Sequence, residues 1–289
     1  MQIAARIEEA LDRAVTQAQG PGAPPLLASA LRYAVFPAGH RIRPQLCLAV
    51  ATACGDRDPE SADAAAAAIE LMHCASLVHD DLPCFDDAGL RRGKASVHAE
   101  FGAPLAVLTG DALIVHAFAT LAPVAARDPA RMATLLRIVA EAVGSPHGIV
   151  AGQAWECEVA VPLADYQRAK TGALFVAATR AGAAAAGFDA EPWRMLGEKL
   201  GEAYQVADDL RDVLCDEEEL GKPIGQDAAR LRPSAAAQLG VSGAKSRLEE
   251  LVKAAVGSIP DCPGAAELRV LIKAQTSLFF PKQLAREAA

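Results

Sequence analysis

The chain has 289 residues, 52% of them hydrophobic and 22% charged, with only Phe 8, Tyr 3 and Trp 2 and a formal net charge of −8. Length and hydrophobic fraction exclude a disordered chain and allow a large buried core. The shortage of aromatic and β-branched residues argues against a strand-rich fold, and the acidic balance argues against a nucleic-acid binder.

Apolar residues recur at three- and four-residue spacing without sustained two-residue alternation, so the chain reads as helix after helix. The first helix, 3–18, carries Arg6, Glu8, Glu9, Asp12 and Arg13, too much charge for a signal peptide, and Gly20-Pro21-Gly22 ends it. After a helix at 27–35 comes Gly39-His40-Arg41-Ile42-Arg43-Pro44, with Pro44 suited to the first turn of a helix over 43–54. A long apolar helix, 60–81, runs into Asp80-Asp81-Leu82-Pro83-Cys84-Phe85-Asp86-Asp87, followed closely by Arg91-Arg92-Gly93-Lys94. A helix follows at 105–124, and the longest apolar stretch, around Ala112 to Ala126, is interrupted by His116 and Pro123 and is expected to fall short of a membrane span. Helices at 129–143 and 148–158 precede one over 165–187, which holds Lys170-Thr171-Gly172. The next, 193–213, contains Asp208-Asp209-Leu210-Arg211-Asp212, and Gly221-Lys222-Pro223 follows it. Helices at 228–239, 242–256 and 264–276 complete the order. No linker is long and polar enough to divide the chain, so the expectation is one all-α domain, 1–289. Seven Cys, an odd number without C-x-x-C, fit reduced thiols in the cytoplasm rather than a disulfide framework or zinc ribbon.

Asp80 and Asp81 at a helix C-terminus oppose the helix dipole, and Asp208 and Asp212, four apart, share one helical face with Asp209 beside them. Such clusters are either solvated acidic surfaces or sites where carboxylate oxygens hold Mg²⁺ together with substrate phosphates. The cationic junctions at Arg41–Arg43, Arg91–Lys94, Lys170 and Lys222 favour the second reading, because Arg and Lys at loop–helix junctions bind phosphate. Together they suggest a substrate carrying diphosphate.

From about Leu31 to Arg232 the sequence resembles the trans-isoprenyl diphosphate synthase (polyprenyl synthetase) family, in the family's order. Leu71 to Asp81 with Asp86 resembles its first aspartate-rich motif, and Tyr204 to Asp212 its second. Four residues separate Asp81 from Asp86, as in the family's bacterial and plant members. The resemblance implies a bundle of long helices around a central cavity (isoprenoid synthase type I), two acidic motifs facing each other, and a homodimer. It implies about three Mg²⁺ held by Asp80, Asp81, Asp86, Asp208, Asp209 and Asp212. Arg91, Lys170 and Lys222 would hold an allylic diphosphate (dimethylallyl, geranyl or farnesyl), with Thr171 and Gln205 nearby. Arg43, His73 and Arg92 would hold isopentenyl diphosphate, and Arg232 and Asp227 match positions in a segment that closes over the site. Closure of 214–227 would keep water from the cationic intermediate. Gln153 and Glu156 match the family's G-Q-x-x-D with Glu in place of Asp. His40 stands where the family commonly has a Lys that contacts isopentenyl diphosphate, so that contact passes to Arg41 or Arg43. His79 and His98 are expected to be structural, and for Asp111 helix packing is at least as good a reading as catalysis.

The reaction implied is head-to-tail condensation of isopentenyl diphosphate with the allylic diphosphate. Its product length is set by the positions four and five before Asp80, one turn deeper. These are Ser76 and Ala75, both small, whereas the family's shorter-chain bacterial members carry a bulky aromatic at the fifth position. The expected product is therefore C20, geranylgeranyl diphosphate, with a floor at Met72, Leu71 or residues near His116. Alternatives are a C15 farnesyl diphosphate synthase, a non-catalytic subunit of a heteromeric prenyl synthase and a class I terpene cyclase. The cyclase would carry an Asn/Ser/Glu metal motif in place of the second Asp cluster.

Overall fold

A computed structural model describes residues 3–36, 39–160, 162–214 and 234–277. Among these residues the fold is helical apart from one short hairpin. The order is α1 (Ile3–Ala18), α2 (Pro25–Val35), α3 (Ile42–Ala53), α4 (Pro59–Asp80), β1 (Leu90–Arg91), β2 (Lys94–Ala95), α5 (Val97–Phe101), α6 (Ala103–Leu121), α7 (Pro129–Val143), α8 (Ile149–Ala154), α9 (Leu163–Gln167), α10 (Ala173–Ala185), α11 (Arg194–Leu214), α12 (Ala235–Gly257) and α13 (Ala265–Ser277).

Caps written in the sequence start the central helices. Asp58 accepts from the Ser61 backbone N–H ahead of Pro59 in α4, and Asp128 does the same for Arg131 ahead of Pro129 in α7. The α4 helix runs through the middle of the bundle, packed by α3, α6 and α10, and buries Ala65, Ala66, Ala67, Ala68, Ile69, Leu71 and Met72. Its run of alanines suits close helix approach. The same economy appears at Gly182 of α10, where a Cβ would sit 2.3 Å from the Cys47 carbonyl oxygen of α3. A second apolar cluster joins α11 to α12 through Ala203, Val206, Ala207, Leu210, Ala244, Leu248 and Leu251.

Two expectations change and two hold. The hairpin β1–β2 and the five-residue α5 stand where the sequence showed only a cationic junction; Arg92 and Gly93 form its tip with φ of 54° and 76°. The helix expected over 165–187 is present as a continuous helical run, with residues Arg168–Gly172 forming a π turn between α9 and α10. The break expected between helices at 228–239 and 242–256 is present within α12, where Gly240 (φ 69°, ψ 169°) leaves the helical region; of the first of these helices only residues from 234 onward are described. Finally, α6 with the 3₁₀ turn after it, Ala103–Ala126, is long and apolar enough to cross a membrane by length and composition. His116 and Pro123 do not shorten it as expected. A third of its apolar window is buried, and α4 is its most extensive packing partner.

Candidate active site

A cavity of about 630 Å³ opens between α4, α8, α10 and α11. At its mouth α4 ends on Asp80, and the following loop folds back so that the Asp86 N–H donates to the Asp80 carbonyl (2.9 Å). Asp80, Asp86 and Glu156 each bring a carboxylate oxygen, all within 4.8 Å of one another. Lys170 Nζ lies 2.5 Å from Glu156 Oε1 and 3.3 Å from Asp80 Oδ1. Asp208, on α11, lines the same cavity. Burial pushes the Asp80 carboxyl above the usual carboxylate range; the Lys170 ammonium pulls the other way and the Asp86 charge adds to the rise. A convergent set of carboxylate oxygens is the donor chemistry that a hard cation such as Mg²⁺ selects.

The six aspartates expected as one metal set are split by the structure. Asp81, 2% exposed, is clasped by Arg91, whose Nε donates to both carboxylate oxygens at 2.9 and 3.1 Å and whose Nη2 also donates to Oδ1. Asp209, equally buried, accepts from Gln205 Nε2 (2.9 Å) and from the Ala235 backbone N–H (2.7 Å), which ties α11 to the start of α12. Asp212 does not line the cavity. Consecutive residues on a helix point about 100° apart, so a D-D pair cannot aim both carboxylates at one ion. Asp80 and Asp208 line the cavity and Asp86 joins Asp80 at its mouth, whereas Asp81 and Asp209 are engaged by neighbouring groups.

The basic residues divide in the same way. Arg91 and Lys170 line the cavity, as do Arg43, His73, Thr171 and Gln205. Arg43 is stacked over Phe175 (4.9 Å to the centroid) and near Tyr204 (5.8 Å), with Nη1 3.5 Å from His73 Nε2. Burial lowers the pKa of Arg43, and burial together with the Arg43 charge drives that of His73 well down. Thr171 Oγ1 donates to Gln205 Oε1 at 2.9 Å. Arg92 lies exposed on the hairpin against Gly39, where a Cβ would come 2.5 Å from its guanidinium carbon. His40 is outside the main cavity; it lines an adjoining one of about 370 Å³ that shares Tyr204. Arg41 cannot replace it, because its buried guanidinium is held by Glu8, Glu70 and the Val35 carbonyl. His79 packs on α6 with Nε2 3.2 Å from the Val107 carbonyl oxygen and 3.9 Å from Asp111 while also lining the cavity, and His98 pairs with Ser96. Lys222, Asp227 and Arg232 lie outside the described residues, as does most of the 214–227 segment.

Below the mouth the wall turns apolar. Met72, Ala75 and Ser76 of α4 line it, together with Ile114, Val143, Ile149, Val150 and Leu174. Met72 lines it as expected, as does Ile114, two residues from His116 on α6; Leu71 does not line the cavity.

Two residues escaped the sequence reading. Glu156 was matched to a motif but not placed among the carboxylates; its longer side chain lets it reach them. Tyr166 was not singled out, yet its hydroxyl donates to Glu156 Oε1 at 2.6 Å. Its one sequence signal is its position four residues before Lys170, the spacing that puts two side chains on one helical face.

Residues 24–267 match the family model described as polyprenyl synthetase. The chain is 56% identical, over 97% of both chains, to a geranylgeranyl diphosphate synthase of Cereibacter sphaeroides. It is 52% identical, over 94% of both, to a geranylgeranyl diphosphate synthase of Rhodobacter capsulatus. Among solved structures, a geranyltransferase from Helicobacter pylori complexed with magnesium and isoprenyl diphosphate superposes with a TM-score of 0.78 at 28% identity. That match covers 95% of this chain and 97% of the other.

Proposed function

The chain belongs to the polyprenyl synthetase family, and on that footing we propose that it is a Mg²⁺-dependent prenyltransferase that makes geranylgeranyl diphosphate, C20, from isopentenyl diphosphate and an allylic diphosphate. One observation carries the reading: an acidic and cationic mouth leads directly into an apolar shaft whose α4 wall is made of Ala75 and Ser76. A diphosphate fits the mouth, and a growing hydrocarbon fits the shaft. The names of the two bacterial relatives support the C20 product over C15.

Asp80, Asp86 and Asp208 are the residues we assign to hold Mg²⁺ with the allylic diphosphate. The bound metal supplies Lewis-acid neutralisation of the departing diphosphate. Lys170 and Arg91 add fixed positive charge at the same place, where charge develops as the C1–O bond breaks and its electron pair leaves with the diphosphate. Asp81 aims Arg91 into the cavity through its two-oxygen clasp. Arg43, His73 and Arg92 we assign to the isopentenyl diphosphate, whose double bond attacks the allylic C1; a proton is then lost to the departing diphosphate. The apolar walls below the mouth limit water that would quench the cation. Thr171, Gln205 and Asp209 form a hydrogen-bonded line that fixes the lysine-bearing turn against α11.

We further assign the whole chain, 1–289, to one catalytic domain, working as a homodimer in the cytoplasm. The free thiols Cys47, Cys54, Cys74, Cys84, Cys157 and Cys262 suit a reducing compartment, and burial pushes those of Cys54 and Cys74 up to about 12, which leaves them unreactive. Asp80→Ala and Asp208→Ala tests the site. Each purified variant should lose orders of magnitude in turnover with its helical signal intact; near-normal condensation by either would overturn the assignment.

A further inference from the structure

Lys170 carries its charge on a flexible four-carbon stem, so its backbone position alone does not fix where the ammonium sits. The backbone is held tightly. A Cβ at Gly152 of α8 would come 2.4 Å from the Lys170 nitrogen, so α8 lies directly on the π turn. The ammonium is held separately, by Glu156 at 2.5 Å. Glu156 is in turn held by two further donors: Tyr166 Oη–H to Oε1 at 2.6 Å and Gln153 Nε2 to Oε2 at 3.0 Å. Tyr166 also places its ring 5.8 Å from the Lys170 nitrogen. Among the described residues, Glu156 is thus a carboxylate with protein donors on both oxygens, one of them shared between Tyr166 and Lys170.

We propose that Tyr166 and Glu156 are a positioning pair for Lys170, which parks the ammonium at the cavity mouth and releases it to the allylic diphosphate. The physical argument concerns what happens to the carboxylate when the lysine leaves. Glu156 is only partly buried, its side chain 19% exposed, and an acceptor there that loses a donor pays part of the desolvation of that group. With Tyr166 and Gln153 still donating, Glu156 stays satisfied, so Lys170 can exchange it for phosphate oxygens at small cost. The tyrosine bond also draws negative charge from the carboxylate and weakens its hold on the ammonium. This proposal rests on the reading above that Lys170 binds the allylic diphosphate.

The test is steady-state kinetics of Tyr166→Phe, Glu156→Gln and Lys170→Ala, with KM measured for each substrate separately. Tyr166→Phe and Glu156→Gln should raise KM for the allylic diphosphate about tenfold, the worth of a hydrogen bond to a charged group. KM for isopentenyl diphosphate and the thermal midpoint should not change. Adding Tyr166→Phe to Lys170→Ala should have no further effect, because the tyrosine acts through the lysine. If Lys170→Ala raises the allylic KM while Tyr166→Phe and Glu156→Gln do not, the pair has no positioning role. If Tyr166→Phe raises both KM values alike, or adds to Lys170→Ala, its role is structural and the proposal fails. If Lys170→Ala itself leaves the allylic KM unchanged, the assignment of Lys170 to the diphosphate falls, and the pair with it.

Discussion

His73 sits in the cavity wall beside Arg43, and burial together with the charges of Arg43, Arg92, Arg91 and Arg41 drives its pKa well below the ordinary value of 6.5. Below that pH the unfolded chain takes up a proton that the folded protein refuses, so stability should fall as pH drops under 6.5. Above it the residue contributes no slope. Thermal melts of His73→Gln across that range should show a shallower acid decline than the parent; an equal slope would mean that His73 titrates normally. Asp209 gives a second contrast. Asp209→Ala strips a buried acceptor from Gln205 and the Ala235 N–H, a loss of about 1–3 kcal/mol for each unsatisfied group. Its melting midpoint should drop while its turnover falls far less than that of Asp80→Ala; a loss of turnover as deep as that variant's would put Asp209 back among the metal ligands. The sequence showed which aspartates cluster, but not which of each pair faces the cavity. That choice is made by tertiary partners, Arg91 for Asp81 and the start of α12 for Asp209, and both lie beyond the local spacing.

At the scale of elements, helix positions were legible because their starts are written locally, as Asp58-Pro59 and Asp128-Pro129 show. The hairpin was not, because strands of two residues leave no alternation to read. Nor was the π turn, where α8 packs closely on Lys170 through Gly152, a tertiary contact that local spacing does not show. The depth of the shaft is a property of α4. Ala75 is buried and faces the cavity opposite Ile114 and Val143, as its distance from Asp80 predicted. Ala75→Phe should shorten the main product from C20 to C15, read by chain-length analysis of the dephosphorylated products. Unchanged C20 output would show that the hydrocarbon does not run along this face.

For the molecule as a whole, α6 leaves Val107, Leu108 and Val115 exposed on one face, with Val115 at 64% and the exposed Asp111 between them. Exposed apolar side chains on one helix face are candidates for a partner to cover, and the proposed homodimer would use this face. Val115→Asp should shift the protein toward monomer in sedimentation velocity; an unchanged mass would move the interface elsewhere. The sequence reading took this helix as too interrupted to span a membrane, whereas its length and apolarity pass that test; the packing against α4 and the exposed face account for where the apolar residues go. The central claim joins the two halves of the cavity, a mouth for diphosphate and a shaft for twenty carbons. Its most direct measurement is product analysis of the purified chain with isopentenyl diphosphate, Mg²⁺ and each allylic starter in turn. The account predicts geranylgeranyl diphosphate from dimethylallyl, geranyl and farnesyl diphosphates. Release of hydrocarbon, arrest at C15, or no condensation at all would contradict it.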